Sequence, residues 1–428
     1  RIQFGLSVGF HFLFPPITIG LTLFIVIFEY LYITNSEDIN RRISAFLVKI
    51  LAVVFAFGVA SGIILPLSFG SNWARFSEFA GGFFGLPLAL ETVTAFTLES
   101  VFLGILVFGR GRVSRKLYFI AALCVFAGAH LSAFWIIAAN SWMHTPAGFL
   151  ISDNRVVLVD FFKALFNPST GIRFLHVLVA CWITGSVFVS GIAAWLLYKR
   201  KNTTEARKML SFACVIALVT TIAQPVVGHQ QIMQVVRNQP EKDAAYDGVF
   251  TSTSGAPLYL FGIPDSKNRT VHYAIGIPGL LSLLETGNAG ARIRGLDEFP
   301  ESEWPPVNVI FTTFHLMVLI GFVLIGTSIL AFIFLRTRVI EKYRRFLLLL
   351  VFIVPLPHLA NELGWIGTEM GRQPWLIYKV LKTAAAQSAA PSSVMVYGSL
   401  ALLSVVFTLL SVFFLRILFK TVNKGIIS

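Results

Sequence analysis

Six side chains with the chemistry to hold a metal or move a proton stand out, each in or at the edge of an apolar run: His11, Glu91, Glu99, His176, Met317 and Glu369. An ionisable group inside a membrane is costly unless it is paired or ligating, so each is a functional candidate. As a set they suggest haem iron. A His/Met pair gives a six-coordinate electron-transfer haem of raised potential, and a lone His or carboxylate leaves a coordination position open for oxygen. The densest stretch is Glu362-Leu363-Gly364-Trp365-Ile366-Gly367-Thr368-Glu369-Met370-Gly371-Arg372-Gln373-Pro374-Trp375. Glu369 and Arg372, three apart, fall on one helix face. Gly371 is expected to allow a tight turn, and Pro374 to stop the helix. The plainer reading of the same stretch is an interfacial anchor, because tryptophans and snorkelling arginines are ordinary at membrane-helix ends.

The elements that must position these groups are membrane helices. The chain has 428 residues, 56% hydrophobic and 13% charged, with mean hydropathy +0.77. Repeated apolar runs of about 20 residues imply an all-α polytopic membrane protein. Nine spans are expected, near 4–33, 47–69, 84–108, 117–139, 172–198, 209–228, 307–335, 346–366 and 393–419. The first run is too long for a signal peptide and lacks a cleavage pattern, so it is expected to be a retained span. The net charge of +13 lies mostly in short loops, a topology signal that argues against a nucleic-acid partner. Segments after odd-numbered spans carry 19 Lys and Arg against 14 on the other side, 6 of those in one long loop. The N-terminus is therefore expected outside and the C-terminus in the cytoplasm, with the candidate ligands in the outer half of the bilayer. Cys124, Cys181 and Cys214 lie in apolar runs and read as small buried residues. Segment 155–165 reads as an amphipathic helix on the outer face. Three regions follow: 1–228 (spans one to six), the extracytoplasmic loop 229–306, and 307–428 (spans seven to nine).

Gly371-Arg372-Gln373-Pro374-Trp375 after Gly364-Trp365 and Glu369 resembles the signature of cytochrome bd-type quinol oxidase subunit I, and the likeness covers nearly the whole chain. Arg1-Ile2-Gln3-Phe4 with His11-Phe12-Leu13-Phe14 is similar to that family's opening. So are Phe69-Gly70-Ser71-Asn72-Trp73, Gly85-Leu86-Pro87-Leu88-Ala89, the pair Glu91 and Glu99, and Ser132 through Met143. The resemblance implies His11 as axial ligand of a high-spin haem and His176 with Met317 as ligands of a low-spin haem b. It implies Glu369 as carboxylate ligand of the high-spin haem b, with Arg372 and Trp365 as further cofactor-binding residues. The third haem is d, or a b-type haem in its place, and which of His11 and Glu369 serves which high-spin haem stays open. Gln239-Pro240-Glu241-Lys242-Asp243-Ala244-Ala245-Tyr246-Asp247 resembles the family's quinol-binding loop in a short form. Lys242 matches the family's lysine, and Asp247 stands where a glutamate is usual. Glu241 and Asp243 read as ordinary solvated charges. His315, where some members carry arginine, either meets a haem propionate or packs.

The resemblance implies a bacterial inner-membrane terminal oxidase. Quinol is oxidised at the outer face, electrons pass through the haems, and O2 is reduced to water with protons drawn from the cytoplasm. Glu99 and Glu91, two turns apart, would relay those protons beside Ser132, generating a proton motive force without pumping. Arg372 would grip a haem propionate. A second subunit and small accessory chains are the implied protein partners, with quinol, O2 and lipid. Two other classes fit the buried Glu and His: a proton-coupled transporter, and a haem electron-transfer subunit that does not reduce oxygen. No internal repeat of the transporter kind is visible.

Overall fold

A computed structural model of the chain describes residues 2–388 and 393–426; Arg1 of the opening motif lies outside them. Among the described residues nine helices are long and apolar enough to span a bilayer: α1 (Ile2–Asn35), α2 (Asp38–Leu67), α3 (Ala74–Phe108), α4 (Arg115–His144), α5 (Thr170–Tyr198), α6 (Thr203–Asn238), α7 (Val307–Arg336), α8 (Arg344–Met370) and α9 (Val394–Lys424). The expected polytopic helical class therefore holds. Hydropathy gave the number of spans correctly and their ends too short. α3 begins ten residues before the expected start and α6 runs ten beyond the expected end, because polar residues such as Arg75, Gln230 and Gln234 continue a helix without adding hydropathy.

Several spans are interrupted where proline removes a backbone donor. α1 breaks at Leu13 and Phe14, ahead of Pro15 and Pro16, so His11 sits on the last turn of a short leading segment, Ile2–Phe12. α8 is two pieces, Arg344–Phe352 and Pro355–Met370. α3 carries a π-helical segment, Glu91–Phe96, between two α-helical stretches. Outside the spans the described residues form four two-stranded sheets. Segment 155–165 is not one amphipathic helix: Phe149–Ser152 pairs with Arg155–Leu158, and only Phe161–Leu165 is helical. The turn Asp153-Asn154, with positive φ at both residues, favours a hairpin over a continuous helix.

α5 is the central helix, packing on α1, α4, α6 and both pieces of α8. Inside lipid there is no hydrophobic gain from bringing helices together, so close association depends on small residues that let backbones approach. At the α1–α5 crossing a Cβ on Gly20 would lie 2.8 Å from Gly185 N and 3.0 Å from Cys181 O. At the opposite end of the bundle Glu29 accepts hydrogen bonds from Ser44 and Arg110, and the Arg110 guanidinium stacks over Tyr118. This pairing joins α1, α2 and the α3–α4 turn.

Gly185→Val should lower thermal stability by about 1–3 kcal/mol through overpacking at this crossing; unfolding of the purified protein followed by intrinsic fluorescence measures it.

Candidate functional site

Several buried charges gather where α4, α5 and α8 meet the helix Pro240–Tyr246 of the long loop, among them Arg173, Lys242 and Arg372. Asn140 and His144 are four apart on the last turns of α4, so they share one face. Asn140 Nδ2 donates to Glu369 Oε1 at 2.9 Å, and His144 Nε2 lies 3.3 Å from the same oxygen. Arg372 Nη2 donates to Glu369 Oε2 at 2.5 Å. Arg173, on the first turn of α5, donates to Asn140. Glu369 keeps 35% of its side-chain surface, whereas Arg372 and His144 keep 2% and 1%. Arg372 Nε and Nη1 and Arg173 Nε are buried without hydrogen-bond partners. Two buried guanidiniums with unused donors beside a half-open carboxylate suit a large group carrying anionic arms.

Sequence reasoning put Lys242 on a loop and Glu369 at a helix end without joining them; the structure brings them together. Lys242 is 1% exposed, and its Nζ donates to Gln239 Oε1 at 3.4 Å. Gln239 Oε1 lies 3.3 Å from His144 Nδ1. Burial pushes the Lys242 ammonium well below the ordinary lysine range, and Arg173 and Arg372 add repulsion that Glu369 partly offsets. The chain turns at Gly371 to Pro374 as expected, with Gly371 in a right-handed conformation at φ −67°. A Cβ there would lie 2.8 Å from Lys242 Cε and 2.7 Å from Gly367 O, so glycine is needed for close approach. The helix ends at Met370, short of the Gln373–Pro374 peptide, which is cis. Glu241 and Asp243 are not solvated: they are 3% and 5% exposed. Glu241 accepts from Tyr378 at 2.8 Å.

His11 is on the leading segment of α1. Its Nδ1 lies 3.0 Å from Ser61 Oγ on α2, a contact that orients the ring. Gly62 makes room for that ring, for a Cβ there would stand 2.9 Å from His11 Cε1. Trp365 on α8 packs edge-on against Phe12, ring centroids 5.4 Å apart. Nearby, a Cβ on Gly9 would lie 3.1 Å from Glu362 Oε2.

His176 on α5 is flanked by α6: Gln224 Nε2 is 3.3 Å from His176 Nε2, and Gln224 Oε1 is buried and unpartnered. Met317 on α7 lies against α8, where a Cβ on Gly364 would come 2.9 Å from its sulfur. α5 and α7 each pack on α6 and on the second piece of α8, so the helices carrying His176 and Met317 share two neighbours. His315 packs: its Nδ1 is 2.8 Å from Phe311 O and its Nε2 2.8 Å from Tyr259 O, which sets α7 against the strand Leu258–Asp265.

On α3, Glu91 Oε1 accepts from Ser132 Oγ of α4 at 2.8 Å. Glu99 is 6% exposed and its Oε1 has no partner. In a regular α-helix, residues eight apart overshoot two turns by about 80°. The π segment between them, with i→i+5 bonding, holds more residues per turn and brings the two carboxylates nearer one face. Sequence reasoning missed this segment, as well as Asn140, His144 and Arg173 as neighbours of Glu369; the four-residue spacing of Asn140 and His144 was the available signal.

The profile of the family described as Cytochrome bd terminal oxidase subunit I matches residues 1–426. Cytochrome bd ubiquinol oxidase subunit 1 of Bacillus subtilis is 30% identical over 99% of this chain and 93% of its own length. Cytochrome bd-II ubiquinol oxidase subunit 1 of Escherichia coli is 30% identical over 91% of this chain and 89% of its own. The bd oxidase structure from Geobacillus thermodenitrificans superposes with a TM-score of 0.91 at 30% identity, covering 99% and 98% of the two chains.

Gly371→Ala should displace Lys242 and cost about 1–3 kcal/mol, whereas Gly371→Ala combined with Lys242→Ala should recover part of that loss. Thermal unfolding of the two variants, compared with Lys242→Ala alone, measures the coupling.

Proposed function

The chain belongs to the cytochrome bd terminal oxidase subunit I family, and from that membership we propose that it is the haem-bearing subunit of a bacterial quinol:oxygen oxidoreductase that charges the inner membrane without pumping. A terminal quinol oxidase role and haem cofactors follow from the family; proton handling, haem types and individual residue roles are our reading. The transporter and the oxygen-independent electron-transfer readings are set aside by the membership. The reading is carried by one observation: a half-open carboxylate, Glu369, held by Asn140, His144 and Arg372 beside buried guanidinium donors with no partner.

In this reading His176 and Met317 hold a low-spin haem b, and His11 and Glu369 serve two high-spin haems, a haem b and a haem d or a further b-type haem. When bound, these groups supply the electron transfer and the iron site at which oxygen is reduced to water. The protein's own residues do the rest. Ser61 fixes His11 through Nδ1 so that Nε2 faces the cofactor. Arg372, with Nε and Nη1 free, binds an anionic propionate while its Nη2 holds Glu369. Trp365 closes the space beside Phe12. Lys242 and Asp247 face the quinol from the outer side. Lys242 Nζ has donors beyond its single bond to Gln239 for a quinol oxygen. Asp247 is 4% exposed, and burial raises its carboxyl above the usual range, with Glu285 adding repulsion, so it can hold a proton near neutrality. Glu99, unpartnered at Oε1, and Glu91, bonded to Ser132, pass protons from the cytoplasmic side. The regions 1–228, 229–306 and 307–428 then divide into ligand and relay helices, the quinol loop, and the helices with Met317, Glu369 and Arg372. A second subunit and small accessory chains complete the complex.

Reduced-minus-oxidised spectra with quinol:O2 turnover test the reading. His176→Ala and Met317→Ala should each remove the low-spin haem signal and leave the high-spin bands; spectra unchanged from the parent would overturn the ligand assignment. Glu99→Gln should slow oxygen reduction at least tenfold at unchanged quinol KM, the mark of a proton-transfer role. Lys242→Met should separate stability from function. The folded chain holds the Lys242 proton less readily than the unfolded chain, so at neutral pH the buried ammonium costs stability. Its removal should raise the unfolding temperature by a few degrees, worth about 1–2 kcal/mol, while quinol oxidation falls.

A further inference from the structure

Three carboxylates of the long loop, among them Asp247 of the proposed quinol site, converge without any cation to answer them. Asp243 lies on the loop helix Pro240–Tyr246, Asp247 caps that helix, and Glu285 lies on a second loop helix, Leu280–Thr286. One oxygen from each falls within 4.8 Å of the other two. Asp243 and Asp247 are 5% and 4% exposed. Asp243 Oδ1 and Glu285 Oε1 are buried and have no hydrogen-bond partner. Among the described residues the ion pairs include none of the three: Lys242, next in sequence to Asp243, turns its Nζ to Gln239 and the Tyr246 ring instead. Buried like charges with unsatisfied oxygens are unstable without a positive charge or a proton among them.

We propose that Asp243, Asp247 and Glu285 form a divalent-cation site for a Ca2+-like ion that clamps the helix Pro240–Tyr246 to the helix Leu280–Thr286. The donor set is all oxygen and all carboxylate, which selects hard cations over zinc, copper or iron. Coordination geometry then separates the two common hard cations. Mg2+ demands near-ideal octahedral geometry at 2.0–2.1 Å, whereas Ca2+ accepts irregular, flexible oxygen coordination at 2.3–2.6 Å. Three oxygens from two separate loop helices, all within 4.8 Å of one another, suit the less demanding ion. Backbone carbonyls and water fill the remaining positions, and half-buried Glu285 gives the ion its way in. An ion there keeps Asp247 ionised, so cation binding and proton acceptance at Asp247 exclude each other. The site does not depend on the oxidase reading, and its test uses neither haem spectra nor turnover.

The test is equilibrium dialysis of the purified, EGTA-stripped membrane protein against 45Ca2+, together with thermal unfolding. The expected result is one ion per chain, with an apparent Kd on the order of 0.1–1 mM as in extracellular calcium modules, and a saturable rise of several degrees in unfolding temperature. Mg2+ at equal concentration should give little of either. The pair Asp243→Asn with Glu285→Gln, or Glu285→Gln alone if the pair does not fold, should lose the retained ion and the shift. Wild-type protein that retains no ion, retention unchanged in the variants, or an unfolding temperature that follows pH and ignores Ca2+ would each overturn the proposal; the last outcome would assign the triad to shared protons.

Discussion

The site's geometry depends on how one carboxylate, Glu369, is held. Asn140, His144 and Arg372 all address it, and Arg173 stands behind Asn140. Those four partners come from α4, α5 and the turn after α8, so this anion ties together helices that lipid gives no hydrophobic reason to associate. Breaking one partner from such a network would leave a buried charge uncompensated, which costs more than the contact is worth when intact. The same network brings the long loop into the bundle through Gln239 and Lys242.

Glycine is the second constraint, for reasons of space. Gly62 admits the His11 ring, Gly364 admits the Met317 sulfur and Gly371 admits the Lys242 stem. At each of these points a single methyl group would collide with a side chain central to the site. Chemistry and packing are therefore joined: the residues proposed to bind cofactor or quinol lie where the neighbouring helix or turn has given up its own side chain.

The two ends of the bundle differ in kind. One end holds the Glu369 network, the unpaired guanidinium donors and the loop carboxylates. The other holds the paired Glu29 and Arg110, with Ser44 and Tyr118 completing their hydrogen bonds and stacking. Satisfied charge at one end and unsatisfied charge at the other is the distribution expected when one end carries the chemistry and the other fixes the frame.

Helix number and class were legible in the sequence because a bilayer leaves a chain few options: every backbone polar group must be satisfied within its own segment, and hydropathy reports that directly. Glu91, Glu99, His176 and Glu369 stood out for the related reason that ionisable groups in apolar runs are rare. Tertiary structure alone decided which of them meet. Lys242 joined the Glu369 network, Asp243 and Glu241 went from apparent solvent to the interior, His315 turned out to be held by two carbonyls, and a π segment re-aimed the two glutamates of α3. The reason is physical: apolarity acts one residue at a time and is written locally. The environment of a charge is set by side chains far away in the sequence, such as Asn140 beside Glu369, and that proximity exists only once the helices have packed.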